Sequence, residues 1–280
     1  MLKHLIFINL IIFIYPLPVA IIHGLYDSCN SDYFPSLVNL IKYNLGDYSK
    51  CIETGEGSKS LSLSFEEQAK KACEAIKNDE KFNSDFSILS ISQGGLLARY
   101  IIQKCDMKGK VKKLVSFGGP MMGTSKVPFC LGGVICYIIN SLVDYYVYSK
   151  GIQNSIGPAG YYRTAAHIND YINSESFLVK LNNEGKEIDE NGKKRFAELE
   201  SLMLIGFKND KMISPKETAE FYEYNENFEL VPMNETEVYI NDLFGLQTLD
   251  KKGNIHVHYL DGEHTEFDFN DVIRYAIPYL

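Results

Sequence analysis

The sequence predicts one α/β domain in which a mostly parallel sheet is flanked by helices. Apolar runs typical of buried strands alternate with stretches of helical spacing over the first half of the chain, and crossover connections of this kind place successive strands parallel. Sheet-like sequence returns at residues 199–207 and 255–260. With 280 residues the chain is long enough to bury a sizeable core as one domain.

The individual elements of the first half each have a local signal. The predicted strands cover residues 19–22, 51–55, 86–91 and 111–117, and the predicted helices cover residues 34–43, 64–76 and the stretch from the end of the third strand to about residue 105. Ser64 is a typical N-cap residue for the second helix, and Gly118-Gly119-Pro120 ends the fourth strand. Ser214-Pro215 is a start signal for a helix after the strand at residues 199–207.

From about residue 121 to residue 200 the alternation stops, which predicts a largely helical insertion. The segment contains glycine-rich loops, a Tyr- and Ile-rich patch at residues 134–148, two short helical patterns at 161–171 and 176–182, and a charged loop at 183–194. Its apolar and aromatic content suits a cover over an apolar binding site. Ordinary packing between helices explains much of the same content.

The charge of the chain limits the kinds of molecule that it is expected to bind. The formal net charge is -8, and no run of five or more like charges occurs. This pattern lacks the basic surface typical of nucleic-acid-binding proteins and of polybasic membrane patches, so we expect no nucleic-acid partner.

The N-terminus has the pattern of a secretory signal peptide. A positively charged start with Lys3 precedes an apolar run at residues 5–15, which Pro16 and Pro18 interrupt before the small residue Ala20. The run is short for a membrane span, although a signal anchor is the alternative. We therefore expect a signal peptide over about residues 1–18 and a mature domain over residues 19–280, in the secretory pathway.

Six cysteines suit an oxidising compartment, where an even set favours disulfides. They are Cys29, Cys51, Cys73, Cys105, Cys130 and Cys136. They lack C-x-x-C spacing and a histidine at a ligand-like interval, so we expect no metal site, and six cysteines leave 15 possible pairings. Asn234 lies in an Asn-Glu-Thr triplet, which predicts a glycosylation site on an exposed loop.

Residues 86–102 have the pattern of a nucleophile elbow: an apolar strand, a serine, two glycines and an amphipathic helix. A serine on such a sharp turn needs small residues two positions before and after it, and here these are Ser90 and Gly94. Ser92 is therefore the candidate nucleophile. Serine replaces glycine at the first small position, and a plain polar loop is the alternative interpretation.

The loop after the first strand predicts half of an oxyanion hole. His23-Gly24 directly follows that strand, so the backbone N–H groups of Leu25 and Gln93 are expected to converge on the developing oxyanion. For His23 we favour a tether that holds its own loop by hydrogen bonds over direct proton transfer.

The carboxylate and the base are expected after the later strands. Asp210 lies just beyond the strand at residues 199–207, and His264 lies on the loop after the strand at residues 255–260. The order Ser92, Asp210, His264 is that of α/β-hydrolases. His256 and His258 share one face of the last strand, but no third ligand for a metal is evident.

These motifs occur together with further matching stretches: residues 23–29, 92–95, 117–120, 123, 171–181, 204–210, 245–250 and 262–264. Together they resemble the palmitoyl-protein thioesterases of the lysosome over nearly the whole mature chain. The resemblance implies an α/β-hydrolase whose helical insertion shapes a long acyl-binding groove, with no metal or cofactor. It implies Ser92, Asp210 and His264 as the triad, and Leu25 and Gln93 as oxyanion donors.

The resemblance also implies disulfides between Cys73 and Cys105 and between Cys130 and Cys136. It leaves the pairing of Cys29 and Cys51 open, and Ser90 departs from the family pattern.

The expected function is hydrolysis of fatty-acyl thioesters on cysteine residues of S-acylated proteins or peptides, with a long-chain fatty acid as product. The expected location is the lysosome, or outside the cell. A lipase, esterase or acyl-CoA thioesterase with the same triad is the alternative enzyme, and a binding protein that has lost turnover is the alternative outside enzymes.

Overall fold

A computed structural model describes residues 16–127 and 143–280. The strands are β1 (Val19–Ile22), β2 (Ser49–Ile52), β3 (Phe86–Ile91), β4 (Val111–Phe117), β5 (Ser201–Phe207), β6 (Glu223–Tyr224), β7 (Leu230–Val231) and β8 (Ile255–Leu260). The α-helices are α1 (Tyr33–Leu45), α2 (Lys59–Ser62), α3 (Phe65–Lys77), α4 (Gly94–Lys104), α5 (Lys150–Gln153), α6 (Ile168–Asn173), α7 (Phe177–Leu181), α8 (Glu190–Ala197), α9 (Glu237–Ile240), α10 (Leu246–Lys251) and α11 (Phe269–Asp271).

Shorter helical turns connect these elements. They are the 3₁₀ turns Glu80–Phe82, Gly157–Tyr161, Ala165–His167, Lys216–Glu220, Met233–Glu235 and Ile277–Tyr279, and the π-helical turn Val272–Ala276. No helix among the described residues combines the length and the apolar character that crossing a bilayer requires.

Six strands form one sheet in the order β2-β1-β3-β4-β5-β8, and every neighbouring pair is parallel. β6 and β7 form a separate antiparallel pair. The predicted, mostly parallel sheet is therefore confirmed. Because the carboxyl ends of parallel strands lie along one edge, the loops that follow β1, β3, β5 and β8 meet there.

Burial on both faces of the sheet explains the uninterrupted apolar runs. Successive side chains of a strand point to opposite faces, and on β3 Ile88 belongs to one buried cluster while Leu89 belongs to the other. Leu204 and Ile205 on β5 divide in the same way. α3 and α4 cover the first face, and α1 with the C-terminal turns covers the second.

The predicted start of α3 is confirmed at its cap. Ser64 Oγ accepts a hydrogen bond from the Glu67 amide (3.2 Å), and the Glu67 carboxylate accepts one from the Ser64 amide (3.1 Å). This reciprocal pair satisfies two N–H groups that have no partner inside the helix.

Three local predictions were wrong in part. The predicted loop at residues 183–194 contains the start of α8, because Asp189 caps that helix through the Gly192 amide (2.7 Å) and Phe196 is fully buried. The pattern at residues 161–171 forms a 3₁₀ turn followed by α6, and the helix expected after Pro215 is a 3₁₀ turn.

Between β4 and β5 the described residues contain helices, 3₁₀ turns and one isolated bridge between Thr124 and Tyr162. That the residues from about 121 to 200 form an insertion with a role of their own stays a prediction. Cys130, Cys136 and the first fifteen residues of the predicted signal peptide lie outside the described residues.

Two disulfides lie within the described ranges. Cys29 pairs with Cys51, which joins the loop after β1 to β2, and Cys73 pairs with Cys105, which joins α3 to the end of α4. The first pairing is the one that the sequence left open. The second is the pairing that the family resemblance implied.

We expect the double substitution Cys73→Ala/Cys105→Ala to lower the free energy of unfolding by about 3–4 kcal/mol. The bridge spans 32 positions, and releasing a loop of that size restores chain entropy to the unfolded state. Urea unfolding of the oxidised wild type and of the variant at one pH measures the difference. An unchanged unfolding midpoint would contradict a stabilising role for this bridge.

Candidate active site

Ser92 lies on a sharp turn between β3 and α4 with a φ of 53°. Its amide donates to the Phe117 carbonyl (2.8 Å), and its carbonyl accepts from the Gly95 amide (2.9 Å). A φ in this region is rare for a residue with a side chain and persists only where the surroundings enforce it. The hydrogen bonds on both sides of the residue supply that enforcement.

Close packing explains why the residue two positions after Ser92 is glycine. A Cβ atom at Gly94 would lie 2.6 Å from the Ile22 carbonyl oxygen and 2.8 Å from the His23 carbonyl oxygen, so only glycine fits. On the other side, Ser90 is fully buried and its hydroxyl donates to the Val115 carbonyl (3.2 Å). The strand therefore accommodates serine where the elbow pattern has glycine.

Ser92, His264 and Asp210 form a continuous chain of side-chain contacts. Ser92 Oγ is 2.9 Å from His264 Nε2, and His264 Nδ1 is 2.6 Å from Asp210 Oδ2. Because an ionised carboxylate is an acceptor only, Nδ1 carries the proton in this arrangement and Nε2 accepts from the serine hydroxyl. The side chains of His264 and Asp210 are only 7% and 4% exposed.

The Asp210 carboxylate is held at both oxygens. Oδ1 accepts hydrogen bonds from the amides of Met212 (2.8 Å) and Ile213 (3.1 Å), which leaves Oδ2 for the imidazole of His264. The loop that follows β5 therefore fixes the direction of the carboxylate. The histidine is held in one orientation and one tautomer as a result.

A glycine that the sequence analysis did not assign to the active site makes room for the imidazole. Gly118 follows β4 with a φ of 60°, and a Cβ atom there would lie 3.3 Å from His264 Cε1 and 3.1 Å from the Phe207 ring. In the sequence, this position was marked by the glycine repeat at the end of β4 and by the family resemblance of residues 117–120.

The loop after β1 approaches Ser92 from the other side. A Cβ atom at Gly24 would lie 3.2 Å from Ser92 Cβ, so this glycine packs directly against the serine. Leu25 follows it and is half-buried, while Gln93 is buried. Within residues 16–127 and 143–280, neither the Leu25 amide nor the Gln93 amide donates a hydrogen bond to another protein group.

His23 ties this loop to the neighbouring strand, as the favoured interpretation expected. The ring is fully buried, with Nε2 2.9 Å from Glu53 Oε1 and Nδ1 2.9 Å from the Gly24 carbonyl oxygen. Glu53 also accepts from the amides of Cys29 and Gly55, both at 3.0 Å. Burial by itself raises the pKa of Glu53, but the Cys29 amide and His23 outweigh it and leave the pKa below its ordinary value.

The described residues offer one group with the spacing of metal ligands, namely His23, Cys29 and Glu53. The Cys29 sulfur is bonded to Cys51 and is therefore not a thiolate ligand. His256 and His258 lie against the rings of Tyr279 and Tyr275, with centroids 4.8 and 3.8 Å apart.

We expect Gly94→Ala to lower the free energy of unfolding by more than about 2 kcal/mol, because its methyl group would overlap two backbone carbonyl oxygens. Gly151→Ala is the matched control, since a Cβ atom there meets nothing within 4 Å. That control should be neutral or stabilising by up to about 1 kcal/mol. Chemical unfolding of both variants measures the effect, and equal stabilities would contradict the steric argument.

Comparison with known proteins identifies the family of this chain. A family model described as palmitoyl protein thioesterase matches residues 18–264. Palmitoyl-protein thioesterase 1 of Caenorhabditis elegans is 30% identical over 92% of this chain and 90% of its own length. Lysosomal thioesterase PPT2-B of Xenopus laevis is 30% identical over 88% of this chain and 85% of its own length.

Among solved structures, carboxyl esterase 2 of Tuber melanosporum matches with a TM-score of 0.52 at 10% identity, over 95% of this chain and 78% of that one. A likeness at this identity shows the fold alone, which is that of the α/β-hydrolases. The family match over residues 18–264 goes further. This chain belongs to the palmitoyl protein thioesterase family.

Proposed function

We propose that this protein is a serine-dependent thioester hydrolase that removes palmitoyl and related long-chain acyl groups from cysteine residues of S-acylated proteins. The observation that carries the proposal is the unbroken chain of contacts from Ser92 through His264 to Asp210 in a member of this family. The products are a fatty acid and a free cysteine thiol.

The first half of the reaction transfers the acyl group to Ser92. Ser92 Oγ bonds to the acyl carbon while its proton passes to His264 Nε2, and the carbonyl electrons move onto the oxygen. The Leu25 and Gln93 amides stabilise this oxyanion. When the carbon–sulfur bond breaks, the imidazolium returns the proton to the departing sulfur.

A thiolate is an easier leaving group than an alkoxide, because the reference pKa of cysteine is about 8.5. The thioester therefore demands less of His264 as a general acid than an oxoester does.

The second half of the reaction releases the fatty acid. A water molecule gives a proton to His264 Nε2 as its oxygen attacks the acyl carbon, and the bond to Ser92 Oγ then breaks with that proton returned to the serine. Asp210 keeps the imidazole in the required orientation in both halves and stabilises its charged form.

The structure contains an apolar cavity of about 360 Å³. This cavity is an argument for a substrate with a long acyl chain. Its lining includes Leu61, Val127, Val147, Ile152, Pro158 and Ala159. Tyr26, which also lines it, directly follows Leu25 in the chain. Each buried methylene contributes about 0.8 kcal/mol, so an acyl chain in this cavity gains binding energy that a short acyl group lacks.

We expect Ser92→Ala to fold normally and to lose at least about 10⁴-fold in kcat on a palmitoyl-cysteine peptide, because the nucleophile is absent. Ser87→Ala is the matched control. Its serine lies on β3 and is fully buried, and its hydroxyl has no hydrogen-bond partner in the described part of the chain. This control should keep wild-type turnover.

The same assay with the palmitoyl-serine oxoester of the same peptide separates the alternatives. A higher kcat/KM for the thioester, lost in Ser92→Ala, supports depalmitoylation. Equal or reversed preference would identify a lipase or esterase, and absence of turnover on both substrates would identify a binding protein.

We also propose that the protein acts in an acidic compartment of the secretory pathway such as the lysosome. The two disulfides suit an oxidising route, and relatives include proteins named lysosomal thioesterases. Asn234 is exposed in the turn Met233–Glu235, as a glycan acceptor must be.

The raised pKa of one buried carboxyl group, that of Glu223, is consistent with an acidic environment. The Glu223 carboxyl group lies beside the Arg163 guanidinium, with Oε2 and Nη2 3.0 Å apart, and their side chains are 10% and 8% exposed. Burial raises the pKa of Glu223 to about 7, and Arg163 opposes this effect without reversing it. The neutral acid therefore predominates below neutral pH.

We expect the wild type to lose stability as the pH rises from 4.5 to 7, by up to about 3 kcal/mol relative to Glu223→Gln. The folded pKa lies above the ordinary value of 4.5, so the folded state binds more protons than the unfolded state in this window. Urea unfolding of both proteins at pH 4.5, 5.5 and 7 measures the difference. Parallel stability curves would show that Glu223 titrates normally.

A further inference from the structure

Gln68 is a fully buried glutamine near the start of α3 that the proposed mechanism does not use. Its Nε2 donates hydrogen bonds to the carbonyl oxygens of Ser60 (2.8 Å) and Leu63 (3.0 Å). Its Oε1 accepts one from Gln93 Nε2 (3.1 Å). Gln93 is the residue after the nucleophile, so Gln68 holds the side chain of one of the two oxyanion residues.

The same glutamine reaches the other oxyanion segment through Ser60. The Ser60 carbonyl binds Gln68, while Ser60 Oγ accepts a hydrogen bond from the Tyr26 amide (2.8 Å). The Tyr26 amide belongs to the peptide group that directly follows Leu25. One residue of the loop after β1 is thereby tied to the helix that carries Gln68.

At its far end the series of hydrogen bonds begins at Tyr161. The Tyr161 hydroxyl donates to Gln93 Oε1 (3.2 Å), and both side chains are almost completely buried. The series therefore runs in one direction, from the Tyr161 hydroxyl through Gln93 and Gln68 to the Ser60 carbonyl. Each amide group uses its oxygen as an acceptor and its nitrogen as a donor, so neither can rotate by 180° without losing its partners.

We propose that Gln68 is a positioning residue that holds the Leu25 and Gln93 backbone N–H groups at the separation that the oxyanion requires. The inference rests on the proposed function, because it assigns a role within that reaction. Gln68 touches neither Ser92 nor His264 by hydrogen bond in the described residues, and it acts through Ser60 and Gln93. Oxyanion donors stabilise the transition state only when they are fixed in advance, so loosening them lowers kcat.

Gln68→Glu is the sharpest variant, because it keeps the shape of the side chain and leaves at most one of its two donated hydrogen bonds. Gln103→Glu is the matched control. Gln103 is also an almost completely buried helical glutamine, and its Nε2 donates to the Leu181 carbonyl (2.9 Å), away from the oxyanion segments. The control carries the same cost of burying a carboxyl group.

We expect Gln68→Glu to lower kcat on a palmitoyl-cysteine peptide by about 10- to 100-fold with KM within twofold of wild type, less than or equal to the loss from removing one donor. Gln103→Glu should keep kcat within about threefold. A loss of similar size in both variants would show a general effect of burying a carboxyl group and would overturn the proposal.

A second readout depends on the oxyanion itself. A long-chain trifluoromethyl ketone forms a tetrahedral adduct in which Ser92 Oγ bonds to the carbonyl carbon, the proton passes to His264, and the carbonyl oxygen becomes the oxyanion. The corresponding secondary alcohol has the same chain and forms no adduct. Gln68→Glu should weaken the ketone at least tenfold and the alcohol less than twofold, whereas equal weakening of both would overturn the proposal.

Tyr161→Phe keeps the test decisive if Gln68→Glu does not fold. It removes only the hydroxyl that donates to Gln93, and we expect at least a threefold loss of ketone affinity with alcohol binding unchanged. Unchanged ketone affinity in this variant would overturn the proposal. Failure of the wild type to hydrolyse the thioester would instead overturn the proposed function, so the two failures are distinguishable.

Discussion

The close approach of the strand β1 to the turn at Ser92 is the constraint on which the site depends. The carbonyl oxygens of Ile22 and His23 occupy the space that a side chain at position 94 would need, so the helix α4 begins in direct contact with β1. Ser92 is held at a positive φ, a conformation that costs about 1–3 kcal/mol and persists because the hydrogen bonds of its amide and carbonyl, together with the packing at Gly94, enforce it. The serine projects from the sheet edge toward His264.

Three sets of residues hold the parts of the site around this turn, and each set fixes a different part. Asp210 and its two amide donors orient the imidazole. Glu53 collects hydrogen bonds from the loop after β1, and the Cys29–Cys51 disulfide fastens the end of the same loop. Gln68 binds the Gln93 side chain at the start of α4 and the Ser60 carbonyl, and Ser60 Oγ accepts a hydrogen bond from the Tyr26 amide of that loop. The proposed nucleophile, its proposed base and the two proposed oxyanion segments are therefore each held by neighbouring residues that form no covalent bond in the proposed reaction.

Features that depend on residues close together in the chain could be predicted from the sequence. Features that depend on contacts between distant residues could not. The strands of the sheet, the cap at Ser64 and the placement of Ser92, Asp210 and His264 after strands follow from periodicity and chain order. The helix α8 was missed because its buried residue Phe196 packs against Phe221 and Phe244, which follow it by more than twenty residues. Gln68 is one polar residue in an amphipathic helix, and its partners come from two other segments. The pairing of Cys29 with Cys51 was open because spacing alone does not choose among the 15 pairings of six cysteines.

The contact between Ser92 and His264 joins residues 172 positions apart. His264 follows β8, which is the last strand of the chain and an edge strand that pairs only with β5 in this sheet. Under the proposed mechanism, Ser92 therefore has its proton acceptor only in a chain whose edge strand β8 has paired with β5. The proposed mechanism therefore implies that a chain without a docked β8 does not attack acylated proteins around it.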